Sequence, residues 1–219
     1  MLRFSLFGFP VSVHWLFWVT CGLIGGGLGA TTRDQIIALA MFIAAAFVSI
    51  LIHELGHAFL MRKYGARASI MLYAMGGLAA PDRWFSRGQS IVVSLAGPLV
   101  QIAIGVLVLM LVRNLQVESL FLRVFVSEFI QVSVFWALLN LVPIYPLDGG
   151  QVLNSALGPG QTKITFTVSV VAAVLMSCFF LVLFGTNGII GVLMFGMLAF
   201  ENVQRLRGER PNSMLNPQQ

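Results

Sequence analysis

The stretch Ile36–Ile52, IIALAMFIAAAFVSILI, carries no charge and runs directly into His53-Glu54-Leu55-Gly56-His57. Seventeen apolar or small residues with helix-forming side chains predict a helix that crosses a membrane. Histidines four positions apart then share one face, a turn from each other, so both imidazoles can reach one metal ion. The H-E-x-x-H spacing reads as two zinc ligands, His53 and His57, with Glu54 placed to polarise and deprotonate water. A charged residue at mid-bilayer costs roughly 2.5–3.5 kcal/mol, and less toward the interface. A cation shared among the three side chains offsets that cost. Two helix-packed histidines with a snorkelling glutamate are the plainer reading, and the metal-site order of the three argues against it.

Composition sets the class. Hydrophobic residues make up 58% of the 219 and charged residues only 10%, with a mean hydropathy of +0.91. A soluble domain carries about 25% charged residues, so the chain reads as an all-α polytopic membrane protein. The net charge of +5 does not indicate nucleic acid, because the basic residues sit singly or in pairs at the ends of apolar runs. Cys21 and Cys178 lie far apart in apolar segments and are expected to be buried thiols, with neither a disulfide nor a thiolate metal role.

About six transmembrane helices are expected: Pro10–Ala30, Gln35–Met61, Gln89–Val112, Leu120–Val142, Ile164–Phe184 and Ile189–Val203. His14, Trp15 and Trp18 are unusual for a signal-peptide core, so the first is read as a true helix, with His14 satisfied by a neighbouring carbonyl or headgroup. The membrane domain is expected to occupy 1–207, followed by a short polar tail, 208–219. Arg3, Arg62, Lys63, Arg67, Arg83, Arg87, Lys163, Arg205, Arg207 and Arg210 fall on one side of this arrangement, against Arg33, Arg113 and Arg123 on the other. That bias places both termini in the cytoplasm and the metal site a turn or two beneath the cytoplasmic surface.

A tetrahedral catalytic zinc needs a third protein ligand. No histidine follows His57, so a carboxylate must serve. Asp82 and Glu118 lie in loops, Glu201 near the end of the last helix and Glu209 in the tail. Glu128 falls within the fourth span toward its far end. Asp148 follows that span on the cytoplasmic side, in Asn140-Leu-Val-Pro-Ile-Tyr-Pro-Leu-Asp148-Gly-Gly150, where prolines break the helix and glycines permit a sharp turn. Its expected depth matches that of the histidines; Glu128 is the alternative.

HELGH at 53–57 and NLVPIYPLDGG at 140–150, with SLAGPLVQ at 94–101 between them, resemble the site-2 protease family of intramembrane zinc metalloproteases. The resemblance covers the whole membrane domain. It implies one zinc ion per chain held by His53, His57 and Asp148, with Glu54 activating water. It further implies that Asn140 helps to hold substrate or the developing oxyanion. The loop Arg62–Arg87, with alternating stretches from Ala66 to Ala80 and Gly76-Gly77, resembles the family's membrane-associated β-hairpin, whose edge receives an extended substrate by β-augmentation. An amphipathic connector without substrate contact is the other reading of that loop.

The implied activity is that of a zinc metalloendopeptidase acting within or next to transmembrane segments of other membrane proteins, in regulated intramembrane proteolysis. The lipid bilayer and a transmembrane protein substrate are then its partners. The PDZ and CBS domains common in the family are expected to be missing, which leaves regulation to a separate membrane partner. The inner membrane of a prokaryotic cell is the expected location. The rival reading is a metal or ion transporter using the same buried ligands. It does not explain Glu54 between the histidines, nor a site near one face.

The orientation is testable before any substrate is known. In a chain lacking Cys21 and Cys178, Ser69→Cys should resist an impermeant thiol reagent in intact cells and react once the membrane is opened. Ser119→Cys should react from outside. The reverse pattern would invert the topology.

Overall fold

The computed structural model describes residues 1–74, 76–113 and 119–209. Glu118 and most of the expected tail lie outside the described residues. The chain forms two compact units, one of Met1–Trp84 and Ala96–Leu139, the other of Phe85–Leu95 and Asn140–Gln219.

The first unit contains strands β1 (Leu2–Leu6) and β2 (Phe9–Val13), helix α1 (Trp15–Ile24) and the long helix α2 (Arg33–Lys63). Strands β3 (Ala68–Tyr73) and β4 (Gly76–Pro81) follow, then most of α3 (Arg87–Arg113) and nearly all of α4 (Leu120–Asn140). The strands make one sheet in the order β1-β2-β3-β4. Both hairpins are antiparallel, and β2 runs parallel to β3 with Val11 opposite Ile70 and Val13 opposite Leu72. Phe9, Val11 and Val13 alternate with more exposed residues, as do Ala68, Ile70 and Leu72. One face of the sheet is therefore buried, and β3 and β4 lie against α2.

Two expectations change here. The first predicted span is shorter than expected, because Phe9–Val13 is a strand and the helix that follows, α1, has only 10 residues. At 1.5 Å per residue such a helix covers roughly 15 Å, about half the hydrocarbon thickness. Among the described residues five helices are long and apolar enough to cross a membrane: α2, α3, α4 and two in the second unit. The expected hairpin after the second apolar helix is present, as half of a larger sheet. That sheet keeps the N-terminal strands at the same end of α2 as Arg62, whose guanidinium donates to Phe7 O at 2.9 Å and lies 4.5 Å from the Phe9 ring.

Helix α2 begins at a capping box, with Thr32 Oγ1 accepting from Gln35 N–H and Gln35 Oε1 accepting from Thr32 N–H. Its 31 residues reach roughly 46 Å, longer than the hydrocarbon layer. Its buried residues run from Ala45 to Met61, and none lies in its first twelve positions.

The second unit contains the start of α3, then α5 (Asp148–Leu157), α6 (Thr162–Phe184) and α7 (Ile189–Leu206), with short 3₁₀ turns at 159–161 and 185–188. Helix α5 was not anticipated, since Asp-Gly-Gly reads as a turn. Its first turn presses on the loop before it, where a Cβ at Gly149 would strike Leu141 O and one at Gly150 the Ile144–Tyr145 peptide. Arg87 donates to Ser155 O at 2.9 Å and Ala156 O at 2.7 Å, satisfying the last carbonyls of α5. Helices α6 and α7 pack along their length, Phe180 against Phe195 at 5.5 Å. Cys21 is buried as expected, but Cys178 is exposed on α6.

The loop carrying the two prolines is held by buried polar groups. Tyr145 N–H donates to Ser169 Oγ at 2.9 Å, and Asn202 Nδ2 donates to Tyr145 O at 2.6 Å and Leu198 O at 2.8 Å. Asn202→Leu removes the donor and leaves a carbonyl unmatched. It should lower stability by about 1–3 kcal/mol, read as thermal unfolding of the purified protein in detergent; an unchanged transition would show that Asn202 does not hold this loop.

Candidate metal centre and its supports

His53, Glu54 and His57 lie in the buried half of α2, at 2%, 3% and 6% exposure. Burial this complete is unusual for three ionisable side chains, and it marks the place where the chain departs from a purely apolar design. The histidine rings stand T-shaped with centroids 4.7 Å apart, and their Nε2 atoms approach to 3.0 Å. Two ring nitrogens thus converge on one point, as helical spacing requires of a shared ligand pair.

Each histidine meets a different residue of α3. A Cβ at Gly97 would overlap the His57 imidazole, so only glycine leaves that ring its place. One turn further along α3, the Gln101 amide lies 2.8 Å from His53 Nδ1. Gly56 completes the seam: a Cβ there would stand 2.8 Å from Ala96 O. Small residues of this kind let two helices approach within a membrane.

Glu54 turns to another neighbour. A Cβ at Gly77 of β4 would overlap the Glu54 carboxyl, so the strand passes directly over this side chain. Gly76, beside it, is buried with φ of 119°, and a Cβ there would meet the Trp136 indole of α4 at 2.8 Å. The structure therefore brings His53, Glu54, His57, Gly76 and Gly77 together in the first unit.

Asp148 is the first residue of α5, in the second unit, and is buried at 6%. Asn140 ends α4 and is half-buried. Glu128, the alternative third ligand, is also half-buried on α4. It lies toward the start of α4 from Ser133, and Ser133 meets Ser49, a turn before His53. Glu128 is thus carried away from the histidines. His14 caps α1 by accepting from Leu16 N–H at 3.3 Å, and its ring packs tilted against Tyr73 with centroids 4.7 Å apart. Its partner is a backbone N–H where a carbonyl or headgroup was expected.

Sequence reasoning missed Gln101 and Gly97 as neighbours of the histidines. The available signal was a lone amide within the apolar run that follows SLAGPLV, since a polar side chain inside a membrane helix faces the protein interior.

Comparison with known proteins agrees with this geometry. Residues 46–147 match a family model described as "Putative zincin peptidase". A zinc metalloprotease of Methanocaldococcus jannaschii is 28% identical over 184 residues, covering 80% of this chain and 52% of the relative. The chain spans about half the length of the curated relatives first matched. The solved structure of a site-2 protease from Methanocaldococcus jannaschii superposes with a TM-score of 0.67 at 25% identity, covering 98% of this chain and 99% of that one.

Proposed function

We propose that the chain, which resembles a solved site-2 protease over nearly its whole length and matches zinc metalloproteases in sequence, is a zinc metalloendopeptidase of that family, cleaving peptide bonds within or next to transmembrane segments of other membrane proteins. The observation that carries this reading is the placement of Glu54 between two converging histidines, buried in a helix long and apolar enough to cross the bilayer.

His53, His57 and Asp148 would hold the ion. Each is buried and each offers one ligand atom, and two imidazoles with a carboxylate are donors that suit zinc. When bound, zinc supplies Lewis acidity, which acidifies water and polarises a carbonyl. Glu54 takes the proton from the attacking water and delivers it to the departing amine as the C–N bond breaks. Asn140 donates a hydrogen bond to the carbonyl oxygen as negative charge gathers there. The strand at Gly76-Gly77, lying over Glu54, holds the substrate backbone extended by main-chain hydrogen bonds. Peptide bonds in a helix are shielded, so this unwinding must precede cleavage.

The substrate is a membrane protein. Both termini face the cytoplasm of a prokaryotic cell, with the centre near that side of the inner membrane; the basic-residue bias supports this orientation. So does Arg62, which holds the N-terminal strands at the end of α2 opposite its start, so that α1 and the residues after it make a further crossing. A transporter would use the same ligands but has no need of a carboxylate between them.

Glu54→Gln removes the base and leaves the ligands. It should retain zinc while cleavage of reconstituted single-span test proteins falls by about 10²–10⁴. Wild-type turnover in that variant would overturn the protease mechanism. Asp148→Ala should lower zinc occupancy, measured by elemental analysis after chelator challenge; full occupancy and activity would assign the third ligand elsewhere.

A further inference from the structure

Gln101 is a fully buried amide in an apolar part of α3, and neither the histidine motif nor the proposed ligand set accounts for it. Its Nε2 lies 3.3 Å from Ser49 O and 2.8 Å from Ser49 Oγ, and its Oε1 lies 2.8 Å from His53 Nδ1. The backbone carbonyl of Ser49 can only accept, so the amide nitrogen must face it. The amide oxygen then faces His53 and can only accept, which requires the proton on Nδ1. Ser49 Oγ shares a further hydrogen bond with Ser133 Oγ at 2.8 Å, tying α4 into the same chain. Ser49, Gln101 and Ser133 are all at 0% exposure, so in an apolar interior the network has every reason to keep its partners.

We propose that Gln101 is a positioning residue that holds His53 in the Nδ1–H tautomer, leaving the Nε2 lone pair for the metal. The other tautomer would put a proton where the ion must bind. The hydrogen bond made by one ring nitrogen decides what the other can ligate, and such outer partners also fix the ring's orientation. The proposal rests on the reading of His53 as a metal ligand. The register of the two helices supports it: Gly97 and Gln101 stand one turn apart on α3, as His57 and His53 do on α2, so one face of α3 clears one ring and orients the other.

The test uses the full chain in detergent micelles with ¹⁵N-labelled histidine. Only three histidines are present, and a His53→Gln variant identifies the signals of His53. In metal-free wild type, Nδ1 of His53 should carry the proton and Nε2 should not. Gln101→Leu should abolish that preference and weaken zinc binding by about 10–100-fold in a chelator competition. Gln101→Glu can accept from His53 and, when protonated, donate to Ser49, so it should restore both the tautomer and near wild-type affinity. A proton on Nε2 in the metal-free wild type would overturn the proposal, whatever the variants do. Wild-type zinc affinity in Gln101→Leu, with the tautomer lost, would overturn it as well. A correct tautomer in a wild-type protein that binds no zinc would instead overturn the ligand reading of His53, and the tautomer measurement separates the two failures.

Discussion

The close approach of α2 and α3 at Gly56 and Gly97 is the constraint on which the metal centre depends. Side chains at either position would push the helices apart or displace the His57 ring. Successive residues of a helix point roughly 100° apart, so His53 and Glu54 cannot face the same neighbour. The histidines turn toward α3, while Glu54 turns under β4 at Gly77. One helix thus presents two imidazoles on one side and a carboxylate on the other, with each side closed by a residue that has no bulk to spare. Propensity alone would disfavour glycines inside membrane helices; here they fix a distance.

Much of this was legible in the chain. The H-E-x-x-H spacing, the uncharged run before it and the later apolar segments each state their structure locally, through a 3.6-residue period or sheer length. The hairpin at 68–81 was legible too, from alternation and paired glycines. The N-terminal strands were not. Phe9–Val13 is short and apolar, and periodicity cannot separate such a run from the start of a helix. Its strand character comes from parallel pairing with β3, far along the sequence, which no local pattern encodes. Helix α5 was hidden for the opposite reason. Its first residues, Asp148-Gly149-Gly150, have poor helix propensity, and the close fit against residues 141–145 outweighs it. Gln101 stood in plain view in SLAGPLVQ, yet only the fold reveals which ring it addresses.

The second unit solves a related problem with a different device. A proline-broken loop exposes backbone groups that apolar surroundings cannot satisfy. Ser169 and Asn202 supply those partners from two different helices, and Arg87 does the same for the last turn of α5. Polar residues in α6 and α7 are therefore spent on irregular backbone, whereas those of α2 and α3 are spent on the imidazoles.

The parallel pairing of β2 with β3 also dictates an order of assembly. Residues 1–13 leave the ribosome well before the strand they must join, which lies beyond α1 and the whole of α2. Until that long helix has entered the bilayer and residues 68–73 have emerged, β2 has an unpaired edge and nowhere to bury Phe9, Val11 and Val13. The N-terminal hairpin must wait beside the membrane for its partner. The sheet over the metal centre can therefore close only after the helix carrying the histidines has been inserted.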